Sequence, residues 1–245
     1  MTAQQRRAKP PEVSVVIPVY NEESTVEWAL RGLVDKLRRI KLDFEIVLSA
    51  NGCADRTVTV ANMLTEDFPE LKVIESDEPN YGKALRSGIV VSRGRYVVCE
   101  EIDLCDVGFH TRALALLREG SVDLVVGSKA LPGSDDRRPA MRKVATRVFN
   151  GMLRVATGFR GSDTHGLKAF NRERLHGVVS ACVFEKDLFA SELVIRAQNQ
   201  GLNWIEIPVG VEEQRKSPIH LFRRVPAVVR NMAKLSVELR DSRKR

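Results

Sequence analysis

Short apolar runs alternate with longer amphipathic stretches through the first half of the chain. Val13–Val19 has the mostly apolar character of a buried strand. Beyond it, Glu22–Arg39 places Val26, Leu30, Leu33 and Leu37 on one stripe, as an amphipathic helix requires. The same alternation predicts strands at Phe44–Ser49, Leu71–Glu75, Tyr96–Glu101 and Val122–Gly127. Helices are predicted between them near Asp55–Glu66, Lys83–Val91 and Phe109–Arg118. Strand–helix–strand units at this spacing form right-handed crossovers. The predicted class is therefore α/β: a mainly parallel, Rossmann-like sheet flanked by helices in a single domain.

Beyond Gly127 the pattern changes. Pro132–Pro139 is a polar loop rich in Asp and Arg, with the length of a lid or binding loop. A helix at Ala140–Thr157 carries Arg142, Lys143, Arg147 and Arg154. A short apolar segment at Leu167–Phe170, a helix around Leu188–Gln200 and a strand at Trp204–Val209 follow. Residues 1–11 read as a disordered basic leader, 12–216 as the folded domain and 217–245 as a basic amphipathic C-terminal helix and tail. In that last segment Leu221, Val225, Val228, Met232, Leu235 and Leu239 fall at helical spacing, with Arg223, Arg230 and Lys234 opposite. Pro226 kinks or restarts this helix.

A chain of 245 residues suffices for one sizeable domain. Its net charge of +7 asks for an anionic partner: phosphate, nucleic acid or an acidic membrane surface. Cys53, Cys99, Cys105 and Cys182 lack redox or zinc spacing, and no secretory signal precedes the first strand. Both observations predict a reduced, cytoplasmic setting. No apolar run approaches the roughly 18 residues of a membrane span.

Candidate chemistry begins where Val97-Val98-Cys99 runs into Glu101 and Asp103. In an extended chain, residues i and i+2 share a face. The two carboxylates could then grip one hard divalent cation, magnesium or manganese, together with substrate phosphates. The carboxyl end of a parallel strand is a common ligand site in α/β sheets. The plainer role of such acids is to cap a strand or helix. Lys83 and Arg86 follow a glycine at a helix start, where free N–H groups favour anions; a solvated helix face is the alternative. Asp55 is equally a base contact or a helix cap.

Taken in order, the motifs resemble those of family-2 glycosyltransferases with the GT-A fold. Ser14–Glu23 looks like their opening strand, and Asn51-Gly52-Cys53-Ala54-Asp55-Arg56-Thr57 resembles their second motif. Asn80–Gly88 resembles the third, and Glu101-Ile102-Asp103 occupies the place of the Asp-x-Asp metal motif. Gly127-Ser128-Lys129 resembles Gly-Ser-Arg, and Asp163–Phe170 is similar to a segment of dolichyl-phosphate mannose and glucose synthases.

The resemblance implies an inverting, metal-dependent transfer of a hexosyl unit, mannose or glucose, from a nucleoside-diphosphate sugar to polyprenyl phosphate. It implies donor contacts at Pro18, Tyr20, Asn21, Glu22, Asn51, Asp55, Lys83, Arg86 and Lys129, and a divalent cation on Glu101 and Asp103. Lys129, Arg142, Thr146 and Lys168 match positions around the phosphates of those synthases, with Arg138 a neighbouring candidate. Asp103, Arg142, Lys168 and Glu192 are thus the candidate catalytic set. Glu192 either organises the site or acts as base towards a sugar hydroxyl, and His165 either orients the acceptor or satisfies a loop bond.

Several residues depart from the family pattern. Ala50-Asn51 replaces Asp-Asp, Glu101 is one methylene longer than Asp, Cys105 replaces a frequent Gln, and Lys129 replaces Arg with its bidentate fork. Two other functions therefore stay open: transfer to a soluble or glycan hydroxyl, and nucleotide-sugar binding without catalysis. Nucleic-acid binding explains the charge but none of the motifs. The C-terminal stripe either packs on the core or another subunit, or lies in a membrane interface. A lipid-phosphate acceptor favours the membrane, at its cytoplasmic face, with the chain peripheral or dependent on a separate membrane-protein partner.

Overall fold

The computed structural model describes residues 9–211 and 230–239. Most of the expected leader, and residues 212–229 and 240–245 of the C-terminal region, lie outside the described residues. Among the described residues seven strands form one sheet: β1 (Val13–Val19), β2 (Phe44–Asn51), β3 (Leu71–Ser76), β4 (Tyr96–Cys99), β5 (Leu124–Ser128), β6 (Lys168–Asn171) and β7 (Trp204–Pro208). Their spatial order is β3-β2-β1-β4-β6-β5-β7. The helices are α1 (Val26–Arg39), α2 (Thr57–Asp67), α3 (Tyr81–Val91), α4 (Val107–Glu119), α5 (Ala140–Thr157), α6 (Arg172–Ala181) and α7 (Phe189–Asn199).

Every residue of β1 and β2 is buried. Side chains alternate along a strand, so each strand feeds two cores. Val15, Ile17 and Leu48 pack with Leu30 and Leu33 of α1 and Phe109 of α4. Val16, Val47 and Val97 pack on the other face with Leu85 of α3 and Phe189 and Leu193 of α7. The result is a sheet sandwiched between helical layers, as strands apolar on both faces require.

The structure corrects several details. β6 runs antiparallel to both β4 and β5, with Lys168 opposite Cys99 on one side and Val126 on the other. Helix α6 has no counterpart in the sequence-based reading; the Asn171 side chain caps it by accepting from the Glu173 and Arg174 amides. Helix α1 begins at Val26 because Glu22–Thr25 form a turn, tied down where the Glu22 amide donates to Thr57 Oγ1 at 2.6 Å. Strand β4 ends at Cys99, before Glu101. Residues 230–239 are helical, with Met232, Leu235 and Leu239 buried in the second core. Ser236 Oγ also donates to the Ala156 carbonyl at 2.6 Å. This part of the C-terminal stripe packs on the domain rather than facing lipid.

One close approach fixes the turn into β6. A Cβ on Gly166 would lie 1.6 Å from the Gly127 carbonyl oxygen, while the Gly127 amide donates to the Leu167 carbonyl at 2.7 Å. Backbone cannot yield as a side chain would. We expect Gly166→Ala to cost about 3 kcal/mol of stability, measured by urea unfolding, because the connection to β5 must open.

Candidate active site

Residues 100–106 turn sharply at the end of β4. The buried Glu100 carboxylate accepts from the amides of Glu101 and Asp106, each at 3.2 Å, and lies 2.6 Å from His110 Nε2. Inside this span the Leu104 amide returns to the Glu101 carbonyl at 3.0 Å. Glu101 and Asp103 are therefore not on one face of an extended strand. A turn, rather than strand periodicity, brings both to the wall of one cavity.

That cavity has a volume of about 270 Å³, and its lining includes Glu101, Asp103, Lys129, Arg138, Arg142 and His165. A second, of about 230 Å³, shares Lys129 and Arg138 and adds Ser134, Lys143, Thr146 and Arg147. A larger one of about 580 Å³ shares Asp103 and reaches Lys36, Arg137 and the start of α4. Carboxylates and cations thus meet at the carboxyl edge of β4 and β5.

Burial pushes the Glu101 carboxyl up to about 7, against the Tyr81 hydroxyl, which donates to Glu101 Oε1 at 2.6 Å. Asp103 raises it further, while Lys168 and Lys129 lower it. Burial works against the charge of Asp163 too. Lys129 Nζ, 3.4 Å away, and the His165 amide nevertheless hold its carboxyl below the usual range. Lys168 is buried, which lowers its ammonium, and its Nζ donates to the Gly166 carbonyl at 2.7 Å.

Among the described residues no three Asp, Glu, His or Cys side chains gather as a closed metal site. Two carboxylates suit a magnesium- or manganese-type ion, which keeps waters and takes further oxygens from a substrate diphosphate. The donor set at Glu101 and Asp103 fits such an ion.

Residues 14–189 match the family model described as glycosyl transferase family 2. The chain belongs to that family. Glycosyltransferase AglD of Haloferax volcanii is 30% identical over 245 residues, covering 95% of this chain and 39% of AglD. The dolichyl-phosphate hexose transferase of the same organism is 25% identical over 235 residues, 94% of this chain and 96% of that protein. An undecaprenyl-phosphate 4-deoxy-4-formamido-L-arabinose transferase of Pseudomonas fluorescens is 30% identical over 174 residues, 69% of this chain and 50% of that protein. The chain therefore spans half or less of two of these relatives and nearly all of the third. Glucosyl-3-phosphoglycerate synthase of Mycobacterium tuberculosis, solved with Mn2+, UDP and glucosyl-3-phosphoglycerate, matches with a TM-score of 0.64 at 20% identity. That match covers 91% of this chain and 80% of the synthase chain. The fold is GT-A.

Within this family-2 domain the expected phosphate-side residues gather: Lys129, Arg138 and Arg142 line the carboxylate cavity, and Thr146 lines its neighbour. Lys168 is buried and lines neither. The expected donor residues lie outside these three cavities apart from Lys129, and several hold loops. Asn21 Oδ1 accepts from the Ala54 amide at 2.8 Å, and Asp55 accepts from the Glu23 and Thr57 amides at 3.1 and 3.0 Å. Asp55 thus ties the turn before α1 to the start of α2. The buried Asn51 side chain accepts from the Asn80 amide. Asn80 in turn caps α3 through the Lys83 amide, accepts from the Lys186 amide and donates to Glu185. Lys83 Nζ pairs with Glu78 at 2.9 Å, and both side chains are solvent-exposed. Pro18 is buried in β1, Tyr20 is exposed, and Glu22 is buried in the turn before α1.

Two expected roles meet geometry that opposes them. The Arg86 guanidinium donates to the Ser180 carbonyl on α6 at 3.3 Å rather than lining these cavities. Glu192 is fully buried in α7, accepts from the Val183 and Phe184 amides and pairs with Arg196 at 2.7 Å. It anchors the α6–α7 connection and cannot reach an acceptor as a base. Sequence reasoning missed Tyr81, Glu100, His110 and Asp163. Tyr81 and Asp163 stand inside recognised motifs and Glu100 adjoins one, whereas His110 carried no signal.

Because the folded protein holds the Glu101 proton more tightly than the unfolded chain, whose ordinary value is 4.5, its contribution is full below 4.5 and fades towards pH 7. Glu101→Gln keeps a neutral group there. Without metal, the parent is expected to lose stability relative to Glu101→Gln as pH rises from 4.5 to 7, and to stay lower above. Denaturant titrations across that range check this; parallel pH profiles contradict it.

Proposed function

We propose that this domain transfers a hexosyl unit from a nucleoside-diphosphate sugar to polyprenyl phosphate, with inversion at the anomeric carbon. The observation that carries this reading is the single cavity lined by Glu101 and Asp103 together with Lys129, Arg138 and Arg142. The acceptors named for two of the relatives support it. Glu101 and Asp103 would hold the divalent cation, which when bound neutralises the departing nucleoside diphosphate.

A lipid phosphate is ionised at neutral pH, so its oxygen attacks without a general base. This agrees with the burial of Glu192, the candidate base of the hydroxyl-acceptor reading. Lys129 and Arg142 orient the acceptor phosphate by holding oxygens other than the attacking one. Lys168 fixes the Gly166 carbonyl and so steadies the turn carrying His165.

Helix α5 supports a membrane-side acceptor. Met141, Val144, Val148 and Val155 form an exposed stripe along it, with Val155 91% exposed. Arg142, Lys143 and Arg147 on the same helix line the basic cavities. An apolar stripe flanked by cations suits peripheral attachment to an anionic bilayer. Among the described residues no helix is long and apolar enough to cross one.

Radiolabelled transfer from GDP- and UDP-sugars into polyprenyl phosphate tests the reaction. Label in the lipid fraction is expected with magnesium or manganese, and its loss with chelator or in Asp103→Ala. Nucleotide-sugar binding without lipid label would refute the acceptor assignment. For the membrane, Val148→Asp/Val155→Asp should weaken co-sedimentation with anionic vesicles about tenfold. Unchanged sedimentation would remove α5 from the contact.

A further inference from the structure

The Glu100 and His110 side chains are both shut off from solvent and 2.6 Å apart. No step of the transfer uses either. Glu100 nevertheless touches the turn that presents the metal carboxylates at both ends. Its Oε1 accepts from the Glu101 amide, and its Oε2 accepts from the Asp106 amide and meets His110 Nε2. One carboxylate thus pins residues 101 and 106, and Glu101 and Asp103 lie within that span.

The turn needs such a pin. Cys105 has a φ of 43°, in the left-handed region that a side chain disfavours. Such a conformation is costly and persists where its surroundings over-determine it. His110 Nδ1 is buried without a hydrogen-bond partner, so Nε2 is the ring's polar link to the protein. The ring is oriented towards Glu100 by α4, whose own N-terminus is capped by Asp106 through the Phe109 amide. Helix, ring, carboxylate and turn form one closed circuit.

We infer that Glu100, held in place by His110, is a positioning residue: it preorganises the turn that presents Glu101 and Asp103. The inference rests on those two carboxylates being the metal–diphosphate site. A conformation fixed in advance saves the cost of ordering the turn when the ion and diphosphate arrive.

The test compares the parent with His110→Gln and with Glu100→Leu/His110→Leu. Removing His110 alone would leave a buried carboxylate unpaired, whereas replacing both partners with apolar groups removes the pair without leaving a charge. Glutamine keeps an N–H donor near the position of Nε2. Amide hydrogen exchange over residues 101–106 is read without metal, and Mn2+ affinity is read by electron paramagnetic resonance with UDP or GDP present. We expect the double variant to fold, to exchange about tenfold faster in this turn and to bind Mn2+ about tenfold more weakly. His110→Gln is expected to stay within about threefold of the parent in both. Unchanged exchange in the double variant, its failure to fold, or a His110→Gln protein as impaired as the double variant would overturn the inference. A parent that binds no Mn2+ overturns the metal reading instead, since the exchange arm is independent of metal.

Discussion

Between β4 and β5 the backbone of Lys168–Asn171 hydrogen-bonds in both directions, antiparallel to each neighbour. That reversed strand sets the dimensions of the site. It separates the ends of β4 and β5 by two strand spacings, roughly 9–10 Å, instead of one. The carboxylates follow β4 and Lys129 follows β5, so the gap leaves room for phosphate groups between opposite charges. The turn into the same strand supplies Asp163, His165 and the buried ammonium of Lys168. One short pairing, whose register admits no side chain at Gly166, thus sets how far the carboxylates stand from Lys129.

Charge is arranged in two tiers around this gap. The lower tier is buried and satisfied: Asp163 by the half-buried Lys129, which also reaches the cavities, Glu100 by His110, and Lys168 by a backbone carbonyl. Such groups cost desolvation, and their partners keep them from destabilising the fold. The upper tier faces the cavities and includes Arg138, Arg142, Lys143 and Arg147. Its surplus of cations suits anionic groups, and the two carboxylates stand on the opposite side of the gap. The net charge of +7 thus has a local as well as a global meaning.

The parallel half of the fold was legible because β1 and β2 are buried on both faces and read as mostly apolar runs. The direction of β6 was not, since a four-residue strand carries no sign of its orientation. Helix α6 escaped notice because its buried positions, Leu175, Val178 and Val179, are too few for a stripe. At the site, residue types were legible and their geometry was not. Glu101 and Asp103 were found for a reason, strand periodicity, that the turn at Glu101–Leu104 replaces. Motif position points to Glu192 and Arg86, but their hydrogen bonds go to Arg196 and Ser180. A carboxylate that binds ligand and one that binds backbone look alike in a sequence.

The Asn80 side chain described above accepts from the Lys83 and Lys186 amides and donates to Glu185 Oε2. The partners at 185 and 186 are 105 and 106 residues further along the chain. On a ribosome, the segment leading into α3 would emerge long before those partners exist. Its final shape, and with it the setting of Tyr81 against Glu101, must wait until the chain has been made past residue 186. Ribosome-bound fragments ending short of that point would hold most of the first core and an unfinished active site.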